Sequence, residues 1–82
     1  MQLLKTDGTT QEHNDNTLEG MQAAVGGYIQ IVNTKDGKLM VMNEEGKLEG
    51  LEFNETATEM VELFPGDYVA GNVLIAEQNE ID

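Results

Sequence analysis

The 82-residue sequence predicts a small α+β domain, a mainly antiparallel sheet with two short helices in the order β-β-α-β-β-α-β. Three observations predict it. Short apolar runs flank two Asp-Gly dipeptides, Asp7-Gly8 and Asp36-Gly37, the mark of hairpins. Two other segments repeat apolar residues at helical spacing behind an asparagine able to cap them. Each of those segments then runs into glycine, Gly26-Gly27 or Pro65-Gly66. Residues 1–82 read as a single domain, with residues 77–82 expected to fray. A chain this short buries only about 60% of its unfolded surface, so a homo-oligomer is a natural supplement to the core.

The elements follow in order. Gln2 to Thr6 and Thr9 to His13 form the first ribbon, across a turn that needs positive φ. Asn16 and Glu19 have the spacing of a capping box, and Leu18, Met21 and Val25 share a face of a helix over residues 17–25. The second hairpin, Tyr28 to Thr34 with Lys38 to Asn43, is the clearest local signal. Ile29 and Ile31 share one face, Tyr28, Gln30 and Val32 the other, and Leu39 and Val41 oppose Met40 and Met42. Both faces are apolar, so one helix covers one side and the other asks for the second helix or another subunit. A turn at residues 43–48 leads into an extended piece over 48–53. Asn54 caps a second helix, in which Ala57, Met60, Val61 and Phe64 form an apolar stripe that places Phe64 in the core. Residues 67–76 read as a strand bent at Gly71-Asn72.

Charge restricts function. Sixteen acids against four lysines give a net charge of −12, which repels nucleic acid and anionic membranes. Without cysteine there is no disulfide, thiolate nucleophile or zinc-cysteine site, and no apolar run is long enough to cross a bilayer, so the expected location is the cytoplasm. Serine is absent as well, and the lone His13 lies beside Asn14 and Asp15 without catalytic partners, so no enzyme is expected. The turn acids lack the pattern of a calcium loop, and neither metal nor cofactor is expected. Seven acids fall within nineteen residues: Glu44, Glu45, Glu49, Glu52, Glu55, Glu59 and Glu62. Such density can imitate nucleic-acid phosphate, or it can be a solvated face.

Three blocks, Val25-Gly26-Gly27-Tyr28-Ile29, then Asn43-Glu44-Glu45-Gly46-Lys47-Leu48 with Gly50-Leu51 and Asn54, and finally Asp67 to Ile75, resemble a family of short proteins of unknown function found in bacteriophages and mobile elements. The resemblance covers residues 18–76. It departs from the family pattern where Asn72 replaces the usual acid after Gly71, which removes a carboxylate from that block. The resemblance implies a phage setting, and with it a similarity to the sponges that hold cyclic nucleotides of the CBASS and Thoeris defences. On that reading the protein is a non-enzymatic, homo-oligomeric immune-evasion protein of the host cytoplasm. Its ligand contacts are then Tyr28 for base stacking, Asn43, Asn54 and Thr56 for polar groups, and Lys47 for a phosphate. The alternative is an acidic, DNA-mimic-like inhibitor that presents the seven glutamates to a basic host protein acting on nucleic acid.

Overall fold

The computed structural model describes residues 1–81. The two Asp-Gly hairpins are built alike. In the first, β1 (Gln2–Leu4) pairs antiparallel with β2 (Thr10–Glu12). In the second, β3 (Ile29–Asn33) pairs with β4 (Leu39–Asn43). The Gly8 N–H donates to the Lys5 carbonyl at 2.9 Å and the Gly37 N–H to the Thr34 carbonyl at 3.2 Å, and both glycines stand at φ +87°. Among the described residues no other residue type takes a positive φ. The aspartates therefore stay on the ordinary side of the map, and each loop is a three-residue turn closed by a left-handed glycine. Asp7 reinforces its turn by accepting from the Thr9 N–H and hydroxyl at 2.9 and 2.6 Å.

The last strand, β5 (Val73–Ala76), inserts between the hairpins and pairs antiparallel with both β1 and β4, giving the order β2-β1-β5-β4-β3. The sheet is antiparallel throughout. The register places Leu3, Leu74 and Val41 side by side on one face, and Leu4 with Val73 and Met40 with Ile75 on the other. The helix α1 (Leu18–Val25) covers the first face with Met21 and Val25. The helix α2 (Glu55–Met60) and the loop behind it cover the second with Ala57, Val61 and Val69. Each face of the two-sided hairpin is thus closed by a helix of the same chain. Met40, Val41, Val73 and Leu74 are fully buried, each worth roughly 1.5–3 kcal/mol of transfer free energy.

Several boundaries differ from the sequence expectation. Thr17, not Asn16, caps α1, its hydroxyl accepting from the Gly20 N–H at 3.0 Å, so no capping box with Glu19 forms and Leu18 is left exposed. The Asn16 amide instead donates to the Glu80 carbonyl at 2.9 Å. Gly26 ends α1 in the left-handed conformation at φ +85°, as its sequence requires. α2 stops at Met60, and Phe64 is 86% exposed rather than in the core. Two causes are visible. The Met60 carbonyl accepts the Lys35 N–H at 2.8 Å, which ties the helix end to the β3–β4 turn, and Pro65 disfavours helical backbone at Phe64. The segments 48–53 and 67–72 are not strands. They meet only in a single bridge between Phe53 and Ala70. Residues 77–81, expected to fray, are tied down: Glu80 accepts from the Met1 ammonium at 2.8 Å and from the Glu77 N–H at 2.8 Å, and Ile81 packs against the α1 side of the core. Among the described residues no helix is long and apolar enough to cross a membrane.

Candidate functional site

The site begins where β4 ends. Asn43 is buried, and its amide donates to the Val25 carbonyl at 3.3 Å and to Glu49 Oε1 at 2.9 Å while its oxygen accepts from the Glu45 N–H at 2.8 Å. This bracket folds the loop of residues 44–50 back and ties it to the end of α1. Gly46 allows the close approach, since a Cβ there would stand 2.9 Å from the Ala70 carbonyl oxygen. The fold-back brings Lys47 against Asp67 and Tyr68. Its ammonium is paired with the Asp67 carboxylate and lies 5.3 Å from the centre of the Tyr68 ring. That ring meets Phe53 edge-on, with centroids 5.8 Å apart at 73°. The Lys47 hydrogen bond, followed by one from the Tyr68 N–H, holds the Asp67 carboxyl below its ordinary range.

Between these groups and β3–β4 runs a groove of about 160 Å³. Its floor is Gln30, Val32 and Met42, and its walls include Val61, Leu63 and Tyr68. Three acids, Glu44, Glu62 and Asp67, stand around it with Lys47. The groove exists because α2 ends early: a helix carried on to Phe64 would take residues 61–64 away from this wall. Leu63 and Phe64, exposed at its mouth, extend the apolar surface outward.

The structure does not gather the five residues expected to hold a nucleotide. Lys47 and Asn43 line the groove, but Asn43 is engaged by the fold and Lys47 is neutralised by Asp67. Tyr28 is exposed at the start of β3, outside the groove, its carbonyl accepting the Glu44 N–H at 2.8 Å. Thr56 lies on the first turn of α2 near Gly8, away from the groove. Asn54 is wholly buried: its oxygen caps α2 through the Ala57 N–H at 3.0 Å, and its amide donates to the carbonyls of Leu4 at 3.2 Å and Gly71 at 2.9 Å. Asn54 is therefore a structural residue with no atom to offer a ligand.

The seven glutamates also separate. Glu44 and Glu62 face the groove, Glu49 is bonded to Asn43, and Glu52 accepts from the Thr6 hydroxyl at 2.9 Å. Glu45, Glu55 and Glu59 are exposed. Glu62 lies beyond the end of α2, off the helix that carries Glu55 and Glu59. Asp67, Tyr68 and Leu63 are site residues that sequence reasoning missed, and the only signal for them is a Pro-Gly turn placed directly after an apolar run. His13 makes one local contact, its ring nitrogen 2.6 Å from the Asp15 carbonyl oxygen. Among the described residues no three carboxylate or imidazole groups gather to hold a metal ion.

Residues 2–82 match the model of the family described as "Domain of unknown function (DUF3846)". The chain belongs to the DUF3846 family. No curated protein and no solved structure matches it significantly. In this DUF3846 domain Asn43, Gly46 and the Lys47–Asp67 pair border one acidic groove, while Asn54 joins α2 to β1 and Gly71.

Proposed function

We propose that this DUF3846 protein is a non-catalytic binding module whose groove takes a basic, partly apolar segment of another protein. The observation that carries the reading is the make-up of the groove: a floor in which Val32 and Met42 flank Gln30, an apolar rim, three acids, and a single lysine already paired with one of them. A lysine or arginine entering the groove meets Glu44 and Glu62 while its aliphatic stem lies along Val32, Met42 and Leu63. The net charge of −12 speeds encounter with a basic partner and turns away anionic ones. In the bacteriophage or mobile-element setting that the sequence blocks resemble, the fitting partner is a host protein that handles nucleic acid, met in the host cytoplasm. Immune evasion then works by occupying such a protein.

Sequestration of a cyclic nucleotide is the weaker reading. Its five contact residues are dispersed, and the groove is smaller than the roughly 300–1,000 Å³ of pockets that enclose drug-sized ligands. A dianionic ligand would also meet three carboxylates there.

Calorimetric titration separates the two. The expected result is binding of an amphipathic lysine-leucine peptide that weakens steeply with added salt, because exposed charges are screened over about 8 Å at physiological ionic strength. Cyclic dinucleotides should give no heat. Nucleotide binding without peptide binding would reverse the conclusion.

A further inference from the structure

β3 is an outer strand, and its register shows which of its groups face outward. Backbone hydrogen bonds join Thr34 to Lys38 at 2.9 Å and Glu44 to Tyr28 at 2.8 Å across the β3–β4 pair. The alternate residues Ile29, Ile31 and Asn33 therefore turn their N–H and C=O groups to the open side. No turn, loop or cap hydrogen bond among the described residues uses those groups.

Natural sheets protect such an edge with charge, proline, a bulge or brevity. The opposite edge, β2, is protected by its length of three residues and by Glu12. β3 has neither protection over Ile29–Asn33; only beyond that stretch is an outward group covered, the Lys35 N–H by the Met60 carbonyl at 2.8 Å. The stretch Tyr28 to Thr34 holds no charged residue and no proline, in a chain where 24% of residues are charged. Ile31 is 42% exposed and Tyr28 70%.

The ends of this neutral stretch carry opposite charge. Lys35 and Lys38 lie at the hairpin end, where Asp36 accepts from the Thr34 hydroxyl and Glu77 pairs with Lys38 at 3.6 Å, which leaves Lys35 as the lysine facing outward without an acid of its own among the described residues. Glu44 and Glu45 follow β4 at the other end. An antiparallel neighbour identical to this chain would bring each positive end to the other's negative end, and no other arrangement of two β3 edges does so.

We infer that β3 is a self-pairing edge, on which a second copy of this chain adds its own β3 antiparallel about a two-fold axis at Ile31. The outward set fits this axis. Ile31 then faces Ile31 of the second copy, and Ile29 faces Asn33, each pair exchanging both backbone hydrogen bonds. The Lys35 side of each copy approaches Glu44 and Glu45 of the other, which offsets the repulsion between two chains of charge −12. Because the axis runs perpendicular to the sheet, both grooves open on the same face of the joined sheet. The inference rests on the sheet edge and on the charges at its ends, of which Glu44 also lines the groove.

Sedimentation velocity of the full chain over a concentration series tests it. The wild type should sediment at twice its 9.0 kDa chain mass. Ile31→Lys should raise the dissociation constant by about tenfold or more, by placing a charge on the joined edge. Ile31→Pro should do the same, since the Ile31 N–H makes no bond to β4 and the monomer loses nothing from its ladder. Lys35→Glu should weaken the dimer, and adding Glu44→Lys should restore it. If Ile31→Pro fails to fold by circular dichroism, the other variants decide. A wild type that stays monomeric throughout, or a dimer unmoved by Ile31→Lys and by Lys35→Glu, overturns the inference.

Discussion

Replacing Asn54 by alanine removes three buried hydrogen bonds that no neighbour can replace. The cap to the Ala57 N–H is worth about 1 kcal/mol. The carbonyls of Leu4 and Gly71 each lose a buried donor, at about 1 kcal/mol or more apiece. The total is about 3 kcal/mol. At roughly 0.05–0.15 kcal/mol per residue, a domain of this length holds only about 4–12 kcal/mol, so the variant loses a quarter or more of its stability. Urea unfolding followed by circular dichroism measures the loss directly, and the denaturant slope should stay constant. Asn54→Ser keeps an acceptor for the cap but neither donor, and should fall between alanine and the wild type. Asn54→Asp aims a carboxylate at two carbonyls and should be at least as damaging as alanine at neutral pH. A loss below about 1 kcal/mol for Asn54→Ala would refute the claim that this side chain joins α2, β1 and the β5 entry.

Gly46→Ala should destabilise by about 1–3 kcal/mol in the same assay, because the new methyl meets the Ala70 backbone and not a movable side chain. Phe64→Ser should change stability by less than about 0.5 kcal/mol despite its place in the helical stripe, since the ring is exposed, while weakening capture of the lysine-leucine peptide. Carboxyl titration by NMR should place Asp7, Asp15, Asp36 and Asp67 below 3.8 and Glu80 below 4.5, each lowered first by a hydrogen bond: from the hydroxyls of Thr9, Thr17 and Thr34, from Lys47, and from the Glu77 N–H. A folded value below the unfolded one stabilises above the unfolded value and is lost as pH falls through the folded one, so this contribution is complete at neutral pH and disappears in strong acid. Thr9→Val should raise the Asp7 midpoint, and Lys47→Ala that of Asp67.

Local chemistry made much of the fold legible. Gly8, Gly37 and Gly26 each sit where only a residue without Cβ takes the required positive φ cheaply, so hairpins and helix end could be read in place. Alternation in β3 and β4 announced a sheet covered on both sides, and Asn54 announced its helix. Long-range geometry stayed hidden. Nothing in Val73–Ala76 says that this strand enters between β1 and β4, because the same apolar run pairs equally well at an edge. The stripe Ala57, Met60, Val61, Phe64 has helical spacing, yet the Met60 carbonyl bonds to Lys35, a partner distant in sequence. The groove depends on that interruption, so its walls were unreadable where the fold was most local. Asn43 and Asn54 looked like ligand contacts because a buried amide and a binding amide have the same composition, and only burial and partners distinguish them.

The most direct test of the groove as a binding site is a two-dimensional amide NMR titration of the protein with the lysine-leucine peptide. The account predicts shifts concentrated at Glu44, Lys47, Glu62, Leu63 and Tyr68, and their loss on adding salt or on Glu44→Gln with Glu62→Gln. Shifts spread evenly over the acidic surface, with Glu55 and Glu59 moving as much as the groove residues, would contradict it.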